Sequence, residues 1–145
     1  MRLSRLFVLS ALAGSMLFST SQAIAEGDLT TRPEKLPDLV LGTEDDFFSM
    51  SQKQYDLETG KAYKLKIISS GMTEYAWVAP EFFQTIYLRK VEAGDMEIKA
   101  VALTELEFEQ EGEAEIYFVP VKPGEYEFYA EGLEEKGMLG TFNVK

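Results

Sequence analysis

The sequence predicts an all-β protein, an antiparallel β-sandwich with Greek-key connections. Three observations carry this. Short runs in which apolar and polar residues alternate recur along the chain, at the period that turns one side of a strand inward. Turn-forming residues separate these runs at regular intervals, among them Thr59-Gly60, Ser69-Ser70-Gly71 and Glu92-Ala93-Gly94-Asp95. The 145 residues, 46% of them hydrophobic and 12% aromatic, suffice for one modest core and no second domain.

The first 25 residues stand apart. Arg2 and Arg5 form a basic start, Leu6 to Phe18 is an apolar run too short to span a bilayer, and Ala23-Ile24-Ala25 is a small-residue cleavage site before Glu26. This is the pattern of a secretory signal peptide. Residues 26–145 are therefore expected to be periplasmic or secreted, with no membrane insertion once the signal is gone. The formal net charge of −11 becomes more negative when the two arginines leave. Nucleic acid and anionic membrane would repel such a chain, so neither is expected as a partner; cations and basic protein surfaces remain. The sequence has no Cys and no His. No disulfide supports the fold, and the usual general base, the usual metal ligand and the Ser-His and Cys-His nucleophile pairs are all missing.

Taken in order, residues 26–41 read as an irregular polar lead containing Pro33 and Pro37, ahead of a domain that begins at residue 42. Glu44-Asp45-Asp46 lacks the glycine and alternating oxygen donors of a calcium loop and reads as a solvated turn. Phe47 to Leu57 holds one or two strands. Ala62 to Ser69 is a half-buried strand, with Tyr63, Leu65 and Ile67 on one face and Lys64, Lys66 and Ile68 on the other. Met72 to Pro80 is a loop leading into a strand. Pro80 to Gln84 is a helical turn, since proline suits a first helical position and Glu81 its positive end. Ile86, Leu88 and Lys90 alternate with Tyr87, Arg89 and Val91 in the next strand, and another is expected over Met96 to Leu103, although Ala100 to Leu103 shows no period.

From Glu105 to Glu115 every odd position is glutamate, and Leu106, Phe108, Gln110, Gly112, Ala114 and Ile116 alternate with them. A hairpin turning near Gly112 would put the carboxylates on one sheet face and Leu106, Phe108, Ala114 and Ile116 in the core. Like charges in a row cost stability unless basic groups lie opposite. Three readings are open. The face is solvated and balanced by Lys64, Lys66 or Lys122, or Glu105, Glu107 and Glu109 form a docking surface for a basic partner, or the carboxylates hold a hard cation, which splayed strand positions seldom do.

Val119 to Glu125 turns the chain into its closing segment, with Pro123 presetting φ and Gly124 allowing the turn. Tyr126 to Phe142 reads Y-E-F-Y-A-E-G-L-E-E-K-G-M-L-G-T-F, a strand, a short loop and a closing strand in which Leu139, Thr141 and Asn143 alternate with Gly140, Phe142 and Val144. This stretch resembles the C-terminal ligand loop of the cupredoxins, the small blue-copper sandwich proteins, whose pattern is Y-x-F-x-C, two residues, His, four residues, Met, then G-T and a final strand. Ala130, Leu133 and Met138 stand at the spacing of that Cys, His and Met. The resemblance implies a cupredoxin-like sandwich over residues 42–145 and puts the family's upstream His at Tyr75 or, one residue earlier, at Glu74. Type 1 copper needs a thiolate and two imidazoles, which Ala130, Leu133 and Tyr75 do not supply, and Met138 alone does not hold Cu(II). Apolar Ala130 and Leu133 would let the former site fill as ordinary core around Met138.

A chain with this fold and without its ligands is expected to be an exported protein-binding or accessory module, not an enzyme, with no cofactor and with an exported protein as its partner. In cupredoxins the end beside the copper carries an apolar docking patch, and Tyr75, Trp77, Phe82, Phe83 and Tyr87 crowd the corresponding segment. Trp77, Phe82 and Phe83 are thus candidates for a partner surface, with burial in the core as the other reading. The alternative function is a periplasmic metal-binding protein, holding copper or another cation in a site unlike type 1 through Met72, Glu74, Glu131, Glu134 and Met138. That alternative requires Met72 and Met138 to lie close together or three carboxylates to converge. No spacing argues for catalysis.

Overall fold

A computed structural model describes residues 31–145; the expected signal peptide and the beginning of the lead lie outside the described residues. Strands form at Glu34–Lys35 (β1), Leu39–Leu41 (β2), Gln54–Leu57 (β3), Tyr63–Ser69 (β4), Tyr75–Val78 (β5), Ile86–Ala93 (β6), Met96–Ile98 (β7), Glu105–Phe108 (β8), Gly112–Pro120 (β9), Gly124–Ala130 (β10) and Leu139–Val144 (β11), with a helical turn at Pro80–Phe83 (α1). They build two sheets. The first runs β1-β4-β9-β6-β7 with β2 also on β4, and the second runs β3-β11-β10-β5-β8. The all-β sandwich read from the sequence is the observed architecture.

The sheets are mixed, which corrects the antiparallel expectation. β1 and β2 run parallel to β4, and β3 runs parallel to β11. The chain passes from the first sheet at β2 to the second at β3 and back to the first at β4, so these neighbours are not joined by hairpins, the connection that enforces antiparallel pairing. The irregular lead is corrected as well. Leu39, Val40 and Leu41 sit opposite Ile67, Ile68 and Ser69 of β4, and Leu36, Leu39 and Leu41 are buried. Ser51 ties this edge across the loop: its Oγ donates to the Asp38 carbonyl at 3.0 Å and accepts from the Val40 amide at 2.8 Å.

Two further expectations fail for one reason. β7 ends at Ile98, and residues 99–104 form an irregular link instead of a strand. The Glu105 to Glu115 pattern is not a hairpin: β8 pairs with β5 in the second sheet, while β9 pairs with β4 and β6 in the first. The turn between them carries the chain across the sandwich, and the glutamates on its two arms end on opposite outer faces.

The core lies between the sheets and is dominated by rings. Phe142 of β11 sits among Phe82, Phe128, Tyr55, Trp77 and Phe118, with centroids 4.0 to 6.5 Å away. α1 delivers Phe82 and Phe83 into that cluster from the mouth of the sandwich, both of them buried. Gly140 is required here: a β-carbon on it would lie 2.3 Å from the Phe128 ring, so only glycine lets that ring lie over β11.

Candidate functional site

The loop after β10 brings Ala130, Leu133 and Met138 together by backbone hydrogen bonds. The Ala130 amide donates to the Met138 carbonyl at 3.0 Å, the Leu133 amide to the Ala130 carbonyl at 2.9 Å, and the Met138 amide to the Leu133 carbonyl at 3.3 Å. A 3-10 turn at Glu134–Lys136 spans the gap, and Gly137, at φ 90°, closes it. Lys53 reaches across to donate to the Gly137 carbonyl. Ala130 lies opposite Trp77 and faces inward with it; Ala130 and Met138 are wholly enclosed, and Leu133 packs half-buried against them. Tyr75 also points inward, and its hydroxyl donates to the Phe47 carbonyl at 2.7 Å. Gly42, at φ +70°, makes room for that hydroxyl, since a β-carbon there would fall 2.0 Å from it.

These residues do not fit copper. The three loop positions offer a methyl, an isobutyl and one thioether closed over by core, and the hydroxyl of Tyr75, at the position of the upstream ligand, is engaged with the Phe47 carbonyl. The alternative ligand set is not assembled either. Met72 and Glu74 are exposed while Met138 is wholly buried, Glu131 is exposed, and Glu134 is half-buried in the 3-10 turn. Among the described residues no three His, Cys, Asp or Glu side chains converge as a metal site.

The aromatic partner surface is corrected. Trp77, Phe82 and Phe83 are core: Trp77 meets Phe83 edge-on at 5.6 Å, and Phe82 meets Phe118 at 5.3 Å. Of that crowded segment Tyr87 is the ring left exposed. The Trp77 Nε1 is buried without a hydrogen-bond partner among the described residues.

The charges are distributed unevenly over the two outer faces. On the first sheet Lys64 donates to both carboxylate oxygens of Glu115 at 3.0 Å, Lys66 to Glu113 at 2.9 Å and Lys90 to Glu97 at 2.8 Å, and Lys90 also bonds Glu92. Tyr117 lies between them, its hydroxyl 2.8 Å from a carboxylate oxygen of each of Glu92 and Glu115, with the Lys90 ammonium 4.5 Å from its ring centre. Burial and the two carboxylates push the Tyr117 hydroxyl well above its ordinary value. The Lys90 and Lys99 ammoniums hold Glu97 down at about 2. Glu115 is drawn below the usual carboxylate range because Lys64 and Tyr117 together outweigh its burial. The balanced-face reading therefore holds for Glu113 and Glu115, through Lys64 and Lys66 and without Lys122.

The second sheet has no such ladder. By register, Glu105 and Glu107 of β8, Glu125, Glu127 and Tyr129 of β10 and Thr141 of β11 share its outer face, and no lysine or arginine occupies an outward position on its strands. Among the described residues none of these carboxylates, nor Glu81 of α1, has an ion-pair partner. A depression of about 490 Å³ lies on this face, lined by Pro80, Glu81, Glu125, Glu127, Tyr129 and Thr141. Of the three glutamates expected to meet a partner, Glu105 and Glu107 belong here, while Glu109 is exposed in the turn after β8. Glu81, Glu125 and Glu127 are additions that the sequence reading missed, although Glu125 and Glu127 alternate with the inward Tyr126 and Phe128 at the same period.

No family model matches the sequence, and no curated protein sequence matches it. Solved structures do. The protein is similar to a multicopper oxidase from Campylobacter jejuni described as a metallo-oxidase, with 12% identity and a TM-score of 0.57 over 80% of this chain and 31% of that one. It is similar to another multicopper oxidase, with 15% identity and a TM-score of 0.56 over 77% of this chain and 44% of that one. A copper nitrite reductase from Nitrosomonas europaea shares the arrangement, with 9% identity and a TM-score of 0.50 over 66% of this chain and 33% of that one. The chain spans less than half the length of each. At these identities the likeness shows the fold, which is cupredoxin-like, carried here by a chain without Cys or His.

Proposed function

We propose that the protein is an exported, non-catalytic accessory module on a cupredoxin-like scaffold, free of type 1 copper, which docks a basic partner protein through the outer face of its second sheet. The asymmetry of ion pairing carries this reading. Lysines on the first sheet neutralise its glutamates within the fold, whereas Glu81, Glu125 and Glu127 line a depression on the second sheet and Glu105 and Glu107 lie on the same outer face, none of them with an ion-pair partner among the described residues. Like charges on one face cost stability in the free protein, and a basic surface laid against them removes that cost while raising the rate of encounter. Among the described residues no helix is long and apolar enough to cross a membrane.

The test has two arms. Elemental analysis of the purified protein, followed by titration with Cu(I), Cu(II) and Ca(II), should find no stoichiometric ion; one tightly bound ion per chain would overturn the metal-free reading. Binding to a basic globular protein, measured by calorimetry from 50 to 500 mM salt, should weaken at least tenfold as salt rises. It should be lost in the Glu105→Gln, Glu107→Gln, Glu125→Gln, Glu127→Gln variant and retained when Glu113 and Glu115 are changed to glutamine. Equal losses in both variants would assign the binding to net charge and sink the docking face.

A further inference from the structure

The sandwich is open along one side. β7 and β8 are the last strands of their sheets, and among the described residues each is paired on one side only. They lie at the same side of the molecule. At the other side Tyr55 of β3 donates to the Pro37 carbonyl between β1 and β2, which joins those edges. On this side the link over residues 99–104 and the turn over residues 109–111 carry the chain between the sheets.

The inner faces of these two strands are only partly covered: Leu106 and Phe108, with Ala100 and Leu103 of the link, pack half-buried against the core. Ile98 lies opposite Val91 and Met96 opposite Ala93, and opposed residues of an antiparallel pair share a face. Val91 is buried between the sheets, so Met96 and Ile98 also point inward, yet they are 64% and 41% exposed. Across from them Leu106 and Phe108, opposite the buried Trp77 and Tyr75, are only half-buried. Val101, midway along the link, is fully exposed. The gap deepens into a groove of about 350 Å³ at one end, lined by Ala93, Leu106, Phe108 and Ala114 and rimmed by Glu107, Glu109, Glu111 and Glu113.

We infer that this open side is a cleft for an extended segment of the partner, in which apolar side chains alternate with lysine or arginine. The inference rests on the reading of the protein as a docking module and adds the chemistry of what docks. Extended backbone is what an unpaired strand edge can hydrogen-bond, and alternate side chains then enter the groove while their neighbours face its rim. Charge selects the occupant. The rim is acidic: among the described residues Glu107, Glu109 and Glu111 have no ion-pair partner, while Glu113 is held by Lys66, so basic side chains complement it. A second copy of this chain would bring a formal net charge of −11 and the same rim, and the two would repel.

Three labelled nine-residue peptides test this by fluorescence anisotropy: alternating lysine and valine, alternating lysine and serine, and alternating glutamate and valine. The lysine-valine peptide should bind at least tenfold more tightly than either control, with amide shifts confined to residues 91–114. Met96→Lys and Ile98→Lys, both at exposed positions, should each weaken it at least fivefold, whereas Glu125→Gln with Glu127→Gln should leave its advantage over the lysine-serine peptide unchanged. If both lysine peptides bind equally and the Met96 and Ile98 variants change nothing, the cleft is refuted while the acidic face stands. If neither lysine peptide binds, the cleft is refuted, and the calorimetric titration with the basic globular protein decides the acidic face by itself. A sedimenting dimer broken by Met96→Lys would make a second copy the occupant and overturn the inference.

Discussion

The rings of Phe82 and Phe142 lie 4.0 Å apart and 17° from parallel, so α1 is clamped to the closing strand. A turn of four residues has little helical stability of its own, and this stack, with the Phe83 contact to Trp77, holds it in place. Phe142→Ala removes the ring at the centre of the cluster and should lower unfolding free energy by about 3–5 kcal/mol in urea titrations. Gly140→Ala, which drives a methyl into Phe128, should cost about 1–3 kcal/mol by the opposite mechanism, overpacking.

The closed loop makes Ala130 a reporter of its own packing. Ala130→Cys should destabilise by about 1–3 kcal/mol, because the added sulfur enters filled space. Its thiol should react with a water-soluble reagent only as fast as the protein unfolds. Labelling at the rate of a free cysteine would show that the loop is open.

Trp77 supplies a less usual expectation. Its volume contributes to the core, but its buried Nε1 hydrogen has no acceptor among the described residues, a loss of about 1–3 kcal/mol in itself. Trp77→Phe removes both the bulk and the orphaned donor, so its unfolding free energy should fall within about 1 kcal/mol of the native protein. A loss as large as that of Phe142→Ala would reveal an acceptor or an ordered water at Nε1.

Acid should act on the first sheet before the core. Glu97 is lowered from 4.5 to about 2, and Glu92 and Glu115 are lowered as well, so their contribution is complete above the ordinary carboxylate range and disappears as pH falls through the lowered values. Lys90→Met removes the ammonium shared by Glu92 and Glu97. Denaturation midpoints of native protein and variant should differ at pH 7 and converge towards pH 2. A gap that persists at pH 2 would assign the effect of Lys90 to its packing on Tyr117.

What the sequence disclosed follows from the range of the interactions involved. The alternation of Tyr63, Leu65 and Ile67 with lysines, and of Tyr126 and Phe128 with Glu127 and Tyr129, is set within each strand, and those faces were legible. Pro80 likewise marked α1. Strand partnership is not local. The glutamate pattern continues unbroken from β8 into β9 while the chain changes sheets, because alternation says which side a residue takes and nothing about which sheet it joins. The lead was missed because β1 and β2 are short and pair in parallel with a distant strand. Trp77 alternates with Tyr75 in a run too short to declare its inward side, and Phe82 and Phe83 are adjacent in a single turn; Phe142, near the other end of the chain, packs on Phe82 and Trp77, and Trp77 on Phe83. In the ligand loop the spacing of Ala130, Leu133 and Met138 was legible and their closure by backbone hydrogen bonds was not, since it depends on Gly137 and Lys53 as much as on the three residues.

Because those three residues close over one another as core, and the chain holds no thiol, this loop has no group that exchanges an electron reversibly. A change between oxidising and reducing surroundings therefore forms or breaks no disulfide in this chain. On the proposed docking reading, attachment follows salt and concentration, with no thiol–disulfide switch to gate it.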